Sequence, residues 1–376
     1  MIDTLLPFLM LGILIAAVLA RPLARQRWVS LPVVLVAAGF LASEAWVALG
    51  KDPGLRWQIL RDLVFYLLVP ILIFEAAITI RIRRLRDEGV LIVALASPLL
   101  VVAALAAAWV IFGFMGQALD GNWVVALLIG TMICATDPAR RSGVRRTAQD
   151  RDNPCRARDI LEGESMLNDA TTITLFAVVS GLLLMPGADV SLPAALGRFV
   201  LALAGGAMLG VALGWLFNLV IDPANDKIVS TASTLVLAFA SFWIGDHLLG
   251  LSGVVTTLAA GLTIAWRQRV HRREVDIAFA IDSWRVLGFL ANAMLFFLVG
   301  MSFTVGMFEQ HWLAMVIGVL AGLFSRALIV FAGVGPLSRL PGLEPLNFTD
   351  QRIVFWGGTR GAVAIALALS LDLDIP

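Results

Sequence analysis

Apolar stretches long enough to cross a bilayer recur along this chain, and they restrict what it can fold into. The run VLIVALASPLLVVAALAAAWVIFGF over 90–114 is one of many. About 20 such residues span the ~30 Å hydrocarbon core as a helix. The chain of 376 residues is 60% hydrophobic and 15% charged, where soluble domains run about 25% charged. The pattern predicts an all-α polytopic membrane protein with twelve spans, near 4–20, 29–49, 58–80, 89–114, 123–139, 159–185, 195–221, 229–249, 251–266, 285–306, 311–335 and 351–371. The loops between them are short, which predicts one transmembrane domain and no soluble module. The first apolar run lacks a basic leader, so no cleaved signal peptide is expected.

The basic residues fall on alternate loops. Loop one carries Arg21, Arg25 and Arg27, and loop three carries Arg81, Arg83, Arg84 and Arg86. Loop five carries Arg140, Arg141, Arg145, Arg146, Arg151, Arg156 and Arg158, and loop nine carries Arg267, Arg269, Arg272 and Arg273. Loops four, six, eight and ten carry almost none, and loop two is the weak exception with Lys51 and Arg56. The positive-inside rule then places the odd loops in the cytoplasm and the N-terminus outside. A single missed helix would scramble this alternation, so it supports the span count independently. Cys134 and Cys155 suggest neither a disulfide framework nor a zinc site, and His247, His271 and His311 are too scattered for a metal cluster.

Ionisable residues inside spans are costly and mark ion paths or buried partners. Span three holds Glu75, span five holds Asp137 and span six holds Asp169, while later spans hold Arg326 and Arg360. Span six enters from the cytoplasm near Asp159, so Asp169 lies roughly 15 Å along it, near the bilayer's middle. Glu162, Ser165, Asp169 and Thr172 share one helical face and Asn168 flanks it. Glu164 points about 140° away from Asp169 and is expected to meet a cation on another helix. A structural reading exists for each single charge: a buried acid–arginine tie that fixes packing.

Two spans carry break signals. Pro138 after Asp137 removes a backbone donor and disfavours helix at the residue before it. Gly357, Gly358 and Gly361 surround Thr359 and Arg360 in span twelve. Interrupted helices at matching positions in two halves point to a midplane site in inverted-repeat transporters. With six-helix repeats joined by span seven, the breaks land on the fifth helix of each. That arrangement asks for 13 helices, of which the chain to Pro376 supplies 12. Oxygens from Asp169, Asp137, Ser165 and Thr136 suit a Na⁺ ion. Burial disfavours a charged carboxylate and a bound cation restores it, so a single acid holds either a proton or a metal ion. Competition of that kind couples two fluxes.

The motifs FEAA (Phe74–Ala77), ATDP (Ala135–Pro138), EGESMLND (Glu162–Asp169), SGVVTTLAAGL (Ser252–Leu262), NAMLFFLVG (Asn292–Gly300) and GGTRGAVAIALALSL (Gly357–Leu371) resemble the monovalent cation:proton antiporter family, in its sodium/proton exchanger branch. They stand in family order. The resemblance implies an inverted-repeat antiporter fold with two discontinuous helices, working by an elevator-like motion. It implies that Asp169 is the main ion- and proton-binding acid, helped by Thr136, Asp137 and Ser165, with Asn168 marking the electroneutral branch. It implies structural charge ties between Glu164 and Arg360 and between Glu75 and Arg326. Residues 1–88 and 229–306 would form dimer or scaffold helices, 89–185 and 311–376 the ion-binding core, and 195–221 a linker helix. A homodimer in a bacterial inner membrane is implied, with no resident cofactor, no enzymatic activity and no nucleic-acid partner; Na⁺ and H⁺ are cargo. The ARRSGVRR segment after TDP departs from the family's apolar half-helix: Arg140 and Arg141 either snorkel to the surface or repel cations.

Three other readings use the same residues. A channel would use the acids without coupling. An intramembrane protease would pair Asp137 with Asp169, or use Ser252 in Gly250-Leu251-Ser252-Gly253; the first lacks a Gly-x-Gly-Asp setting and the second an intramembrane histidine. The packing reading places Ser252 in a small-residue helix contact and His247 with Asp246 as a solvent-facing pair at a span end. A transport-inactive sensor or scaffold is favoured by the arginines after TDP.

Overall fold

The computed structural model describes residues 10–19, 31–48, 61–80, 82–136, 156–183, 192–221, 226–270, 274–339, 341, 343–358 and 362–369, whose secondary-structure elements are helices. The spans are α1 (Met10–Leu19), α2 (Leu31–Ala48), α3 (Leu63–Thr79), α4 (Gly89–Met115), α5 (Trp123–Cys134), α6 (Arg156–Leu183) and α7 (Leu192–Ile221). They continue with α8 (Lys227–Leu248), α9 (Gly253–Val270), α10 (Glu274–Met301), α11 (Val305–Leu337), α12 (Phe348–Gly357) and α13 (Ala362–Leu369). Each of the twelve expected spans contains helix, with α12 and α13 as the two halves of the twelfth.

Local chemistry sets many of the boundaries. Asn122 caps α5 by accepting from the Val124 and Val125 amides at 3.0 and 3.4 Å, just after Asp120 and Gly121 turn the chain at positive φ. Asp226 caps α8 in the same way, accepting from Ile228 and Val229 at 2.7 and 3.3 Å. Such caps satisfy amides that the first helical turn leaves open. Span four is not continuous as expected: Ser97 leaves the helix (φ −128°, ψ −82°) ahead of Pro98. Pro98 cannot donate, and its ring disfavours helix at the preceding residue. Pro70 and Pro336 follow wide π-helical turns at Leu63–Leu68 and Leu328–Val334, which accommodate the missing proline donors. Helix α10 begins eleven residues ahead of the expected edge, because a helix carries Glu274, Asp276 and Asp282 as readily as apolar residues while hydropathy does not.

Two large apolar clusters, and a small third of Ala16, Leu35 and Ala293, lie in the interior of the described residues. One includes Phe74 of α3, Leu237 of α8, Leu258 of α9, and Trp284 and Phe297 of α10. The other includes Leu95 of α4, Leu128 of α5, Ile329 of α11 and Val354 of α12. Helix α6 belongs to both, giving Met166 and Ala170 to the first and Ile160, Leu175 and Val179 to the second. It therefore lies at the seam between them. Helix α7 packs along α9 through Gly206, Gly210 and Gly214, spaced one turn apart. A methyl at Gly206 would lie 2.9 Å from the Ser252 carbonyl and one at Gly214 2.9 Å from that of Ala260. Small residues let membrane helices approach this closely. Elsewhere on α7, Met208 and Trp215 are exposed, as suits a surface facing lipid.

Candidate functional site

The site is built where α6 passes the end of α5. Cys134 is the last helical residue of α5, and Ala135 turns extended (φ −61°, ψ 123°). The break precedes Pro138, as the sequence predicts, and it presents the Cys134 and Thr136 carbonyls to α6. Helix α6 takes up both. Ser165 Oγ donates to the Thr136 carbonyl at 2.9 Å. Asn168 Nδ2 donates to Thr136 Oγ1 at 2.9 Å and to the Cys134 carbonyl at 3.4 Å. Thr172 Oγ1 donates to Asn168 Oδ1 at 2.8 Å. Ser165, Asn168, Thr172 and Thr136 are all buried.

Asp169 is partly buried on the same helix. At about 100° per residue it lies ~40° round from Ser165 and ~60° from Met166. This places it on the edge of α6 between the oxygens of the α5 break and the apolar cluster of α3, α9 and α10. Asp137 lies outside the described residues, as do Arg140 and Arg141. Glu162, though on the Asp169 face, is exposed and pairs with Arg158 at 3.1 Å: it sits at the mouth of the helix.

Glu164 faces away from Asp169 and meets a cation on another helix, as the helical geometry predicts, but the cation is Arg326. Both guanidinium ends engage it, Nη1 on Oε1 and Nη2 on Oε2, the latter at 2.9 Å. Nη2 also donates to the Val354 carbonyl at 2.8 Å, in the last turn of α12 before Gly358 leaves the helix (φ −78°, ψ 55°). The resemblance instead paired Arg326 with Glu75. Arg326 belongs with Glu164, and Glu75 sits in the other apolar region, packed on Gly288 of α10, where a methyl would lie 2.8 Å from its Cγ. Arg360, the partner assigned to Glu164 by resemblance, lies outside the described residues. Helix α12 ends at Gly357 and Gly358 leaves the helix, at the glycines that predict an interruption of span twelve.

Away from the breaks, a cavity of about 630 Å³ opens between α3, α6, α7, α8 and the turn before α9, with Arg61, Arg198 and Asp246 on its wall. Thr174 and Ser252 line it and are hydrogen-bonded to each other at 2.7 Å. Ser252 also accepts from the Val255 amide at 3.3 Å, so its hydroxyl serves helix packing. His247 and Asp246 form a half-exposed pair at 3.3 Å, as expected at a span end.

The family described as sodium/hydrogen exchanger, transmembrane, matches residues 10–376. The chain belongs to this family. Among its relatives, the Na⁺/H⁺ antiporter NhaS2 of Synechocystis sp. is 30% identical over 369 residues, covering 97% of this chain and 63% of the relative. The Na⁺/H⁺ antiporter ApNhaP of Aphanothece halophytica is 27% identical over 311 residues, covering 81% of this chain and 57% of the relative. The chain thus spans about three-fifths of the length of these curated relatives. In fold it is similar to the sodium proton antiporter MjNhaP1 of Methanocaldococcus jannaschii, with a TM-score of 0.79 at 21% identity over 98% of this chain and 85% of that one. The family is one of multi-pass membrane transporters.

Two parts of the site escaped the sequence. Thr172 was placed on the Asp169 face, yet nothing in its spacing showed that it would bond an amide. Arg156 counted only as a loop arginine. It in fact engages Glu88 with Nε and with Nη2, the latter at 2.9 Å, and donates from Nη1 to the Glu344 carbonyl at 2.9 Å. One guanidinium therefore ties the start of α6 to the start of α4 and to the segment before α12. The clustering of arginines in loop five hid Arg156, whose side chain is 20% exposed.

Proposed function

We propose that this chain exchanges Na⁺, or another monovalent cation, for H⁺ across a cell membrane. Asp169 carries the proton or the cation, assisted by Asp137, Ser165 and Thr136, and each species expels the other. The observation that carries this reading is the convergence at mid-α6: Asp169 lies on the helix edge beside Ser165 and Asn168, whose side chains hold the broken end of α5. Asn168 is engaged by three protein groups, so it shapes the site and leaves ligation to the acids and to Thr136 and Ser165. Exchange of one cation for one proton at one carboxylate is electroneutral.

The two large apolar clusters suggest the division of labour. Helices α4, α5, α6, α11, α12 and α13 form the ion-binding unit, α1, α2, α3, α8, α9 and α10 the scaffold that pairs two copies, and α7 the link. Motion of the first against the second, along the seam at α6, gives alternating access. The N-terminus lies outside, and the membrane is the bacterial inner membrane.

The test is transport by this chain in proteoliposomes. An imposed proton gradient should drive sodium uptake above its equilibrium level, and clamping the voltage should leave the rate unchanged. Uptake that only dissipates a sodium gradient would indicate a channel, and no flux at all a scaffold or sensor.

A further inference from the structure

Helix α6 carries three threonines within one turn, Thr171, Thr172 and Thr174. Two do what threonine commonly does in a helix and donate to the carbonyl four residues back. Thr171 bonds the Leu167 carbonyl at 2.9 Å and Thr174 the Ala170 carbonyl at 2.7 Å. Thr172 donates instead to the side-chain oxygen of Asn168, at 2.8 Å. It is fully buried, and Asn168 is 2% exposed.

A carboxamide has two ends, and its orientation follows from its partners. The Cys134 carbonyl can only accept, so the nitrogen of Asn168 must face it. The oxygen then faces Thr172, whose hydroxyl donates. In the reverse orientation the amide oxygen would oppose the Cys134 carbonyl. Thr172 thus supplies the donor that the buried oxygen requires. Without it the buried amide oxygen loses its donor, at the desolvation cost of that group. The amide would swing away, and the grip on Thr136 would loosen.

We propose that Thr172 is a positioning residue: its hydroxyl fixes the Asn168 amide and, through it, holds Thr136 and the broken end of α5 at the ion site. This deepens the proposed function and rests on it for the identity of the ion.

The test is a double-mutant cycle of Thr172→Val and Asn168→Ala in proteoliposomes. Thr172→Val should raise the KM for sodium about five- to tenfold with maximal rate within about twofold, the effect of one lost hydrogen bond to a buried group. Thr172→Ser, which keeps the hydroxyl, should restore the parent KM, and Thr171→Val should leave it unchanged. On the Asn168→Ala background, Thr172→Val should change KM less than about twofold. An equal effect on both backgrounds, a parent-like KM in Thr172→Val, or a fall in rate matching Thr171→Val would overturn the proposal. If the parent exchanges no sodium, the proposed function fails and this inference does not. The same four proteins are then compared by melting temperature in detergent, as they are if only Asn168→Ala is inactive. Coupled shifts support the positioning role and additive shifts contradict it.

Discussion

Arg326 grips Glu164 with both ends of its guanidinium while the same group bonds the Val354 carbonyl at the broken end of α12. One side chain of α11 therefore joins the helix that carries Asp169 to the second discontinuous helix. The pair is nearly dry, with Glu164 1% and Arg326 7% exposed. Removing one partner of such a pair leaves a buried charge at a cost of about 3–5 kcal/mol, whereas replacing both with apolar groups is often close to neutral. Glu164→Ala should lower stability in detergent by about that amount, measured as a loss of melting temperature and of folded yield. Glu164→Leu combined with Arg326→Met should recover most of it. A double variant as unstable as the single would show that the pair does more than compensate itself.

Gly358 makes the Arg326 position possible. A methyl there would lie 2.5 Å from Nη2 and 2.6 Å from Cζ and Nε. Gly358→Ala should displace the guanidinium from Val354, costing about 1–3 kcal/mol by overpacking, and it should reduce exchange. Thermal melting and sodium-driven proton movement check the two effects. Unchanged values for both would mean that Arg326 relaxes freely.

The sequence carried the helix count, both breaks and the orientation of Glu164, because each follows from local rules: apolar length, proline and glycine chemistry, and 100° per residue. Partner identity did not follow. Glu164 needs a cation on another helix, but that Arg326 reaches it depends on how α11 packs against α6, and no local pattern encodes that crossing. Ser97 shows a local rule unused: Pro98 sits within an apolar run so long that hydropathy masked the interruption. Thr172 and Arg156 were hidden differently, since their roles depend on which acceptors a fold brings near.

Competition between proton and cation at one carboxylate fixes the sign of the pH dependence. As pH falls through the titration of the site, the protonated form grows and excludes sodium. The KM for sodium should rise, by up to ~tenfold per pH unit once protons dominate, while the maximal rate at saturating sodium changes far less; linkage makes proton affinity fall equally as sodium rises. Initial rates across a pH series at several sodium concentrations check this. A KM flat with pH would place the two ions at separate sites.

Asp169 is the residue on which all of this converges. The most direct measurement compares the parent with Asp169→Asn in proteoliposomes, at matched protein content, as sodium-driven proton movement read by a pH-sensitive dye. The carboxylate mechanism predicts a full signal from the parent and none from the variant, with the two folding equally well. Equal signals from both would contradict it.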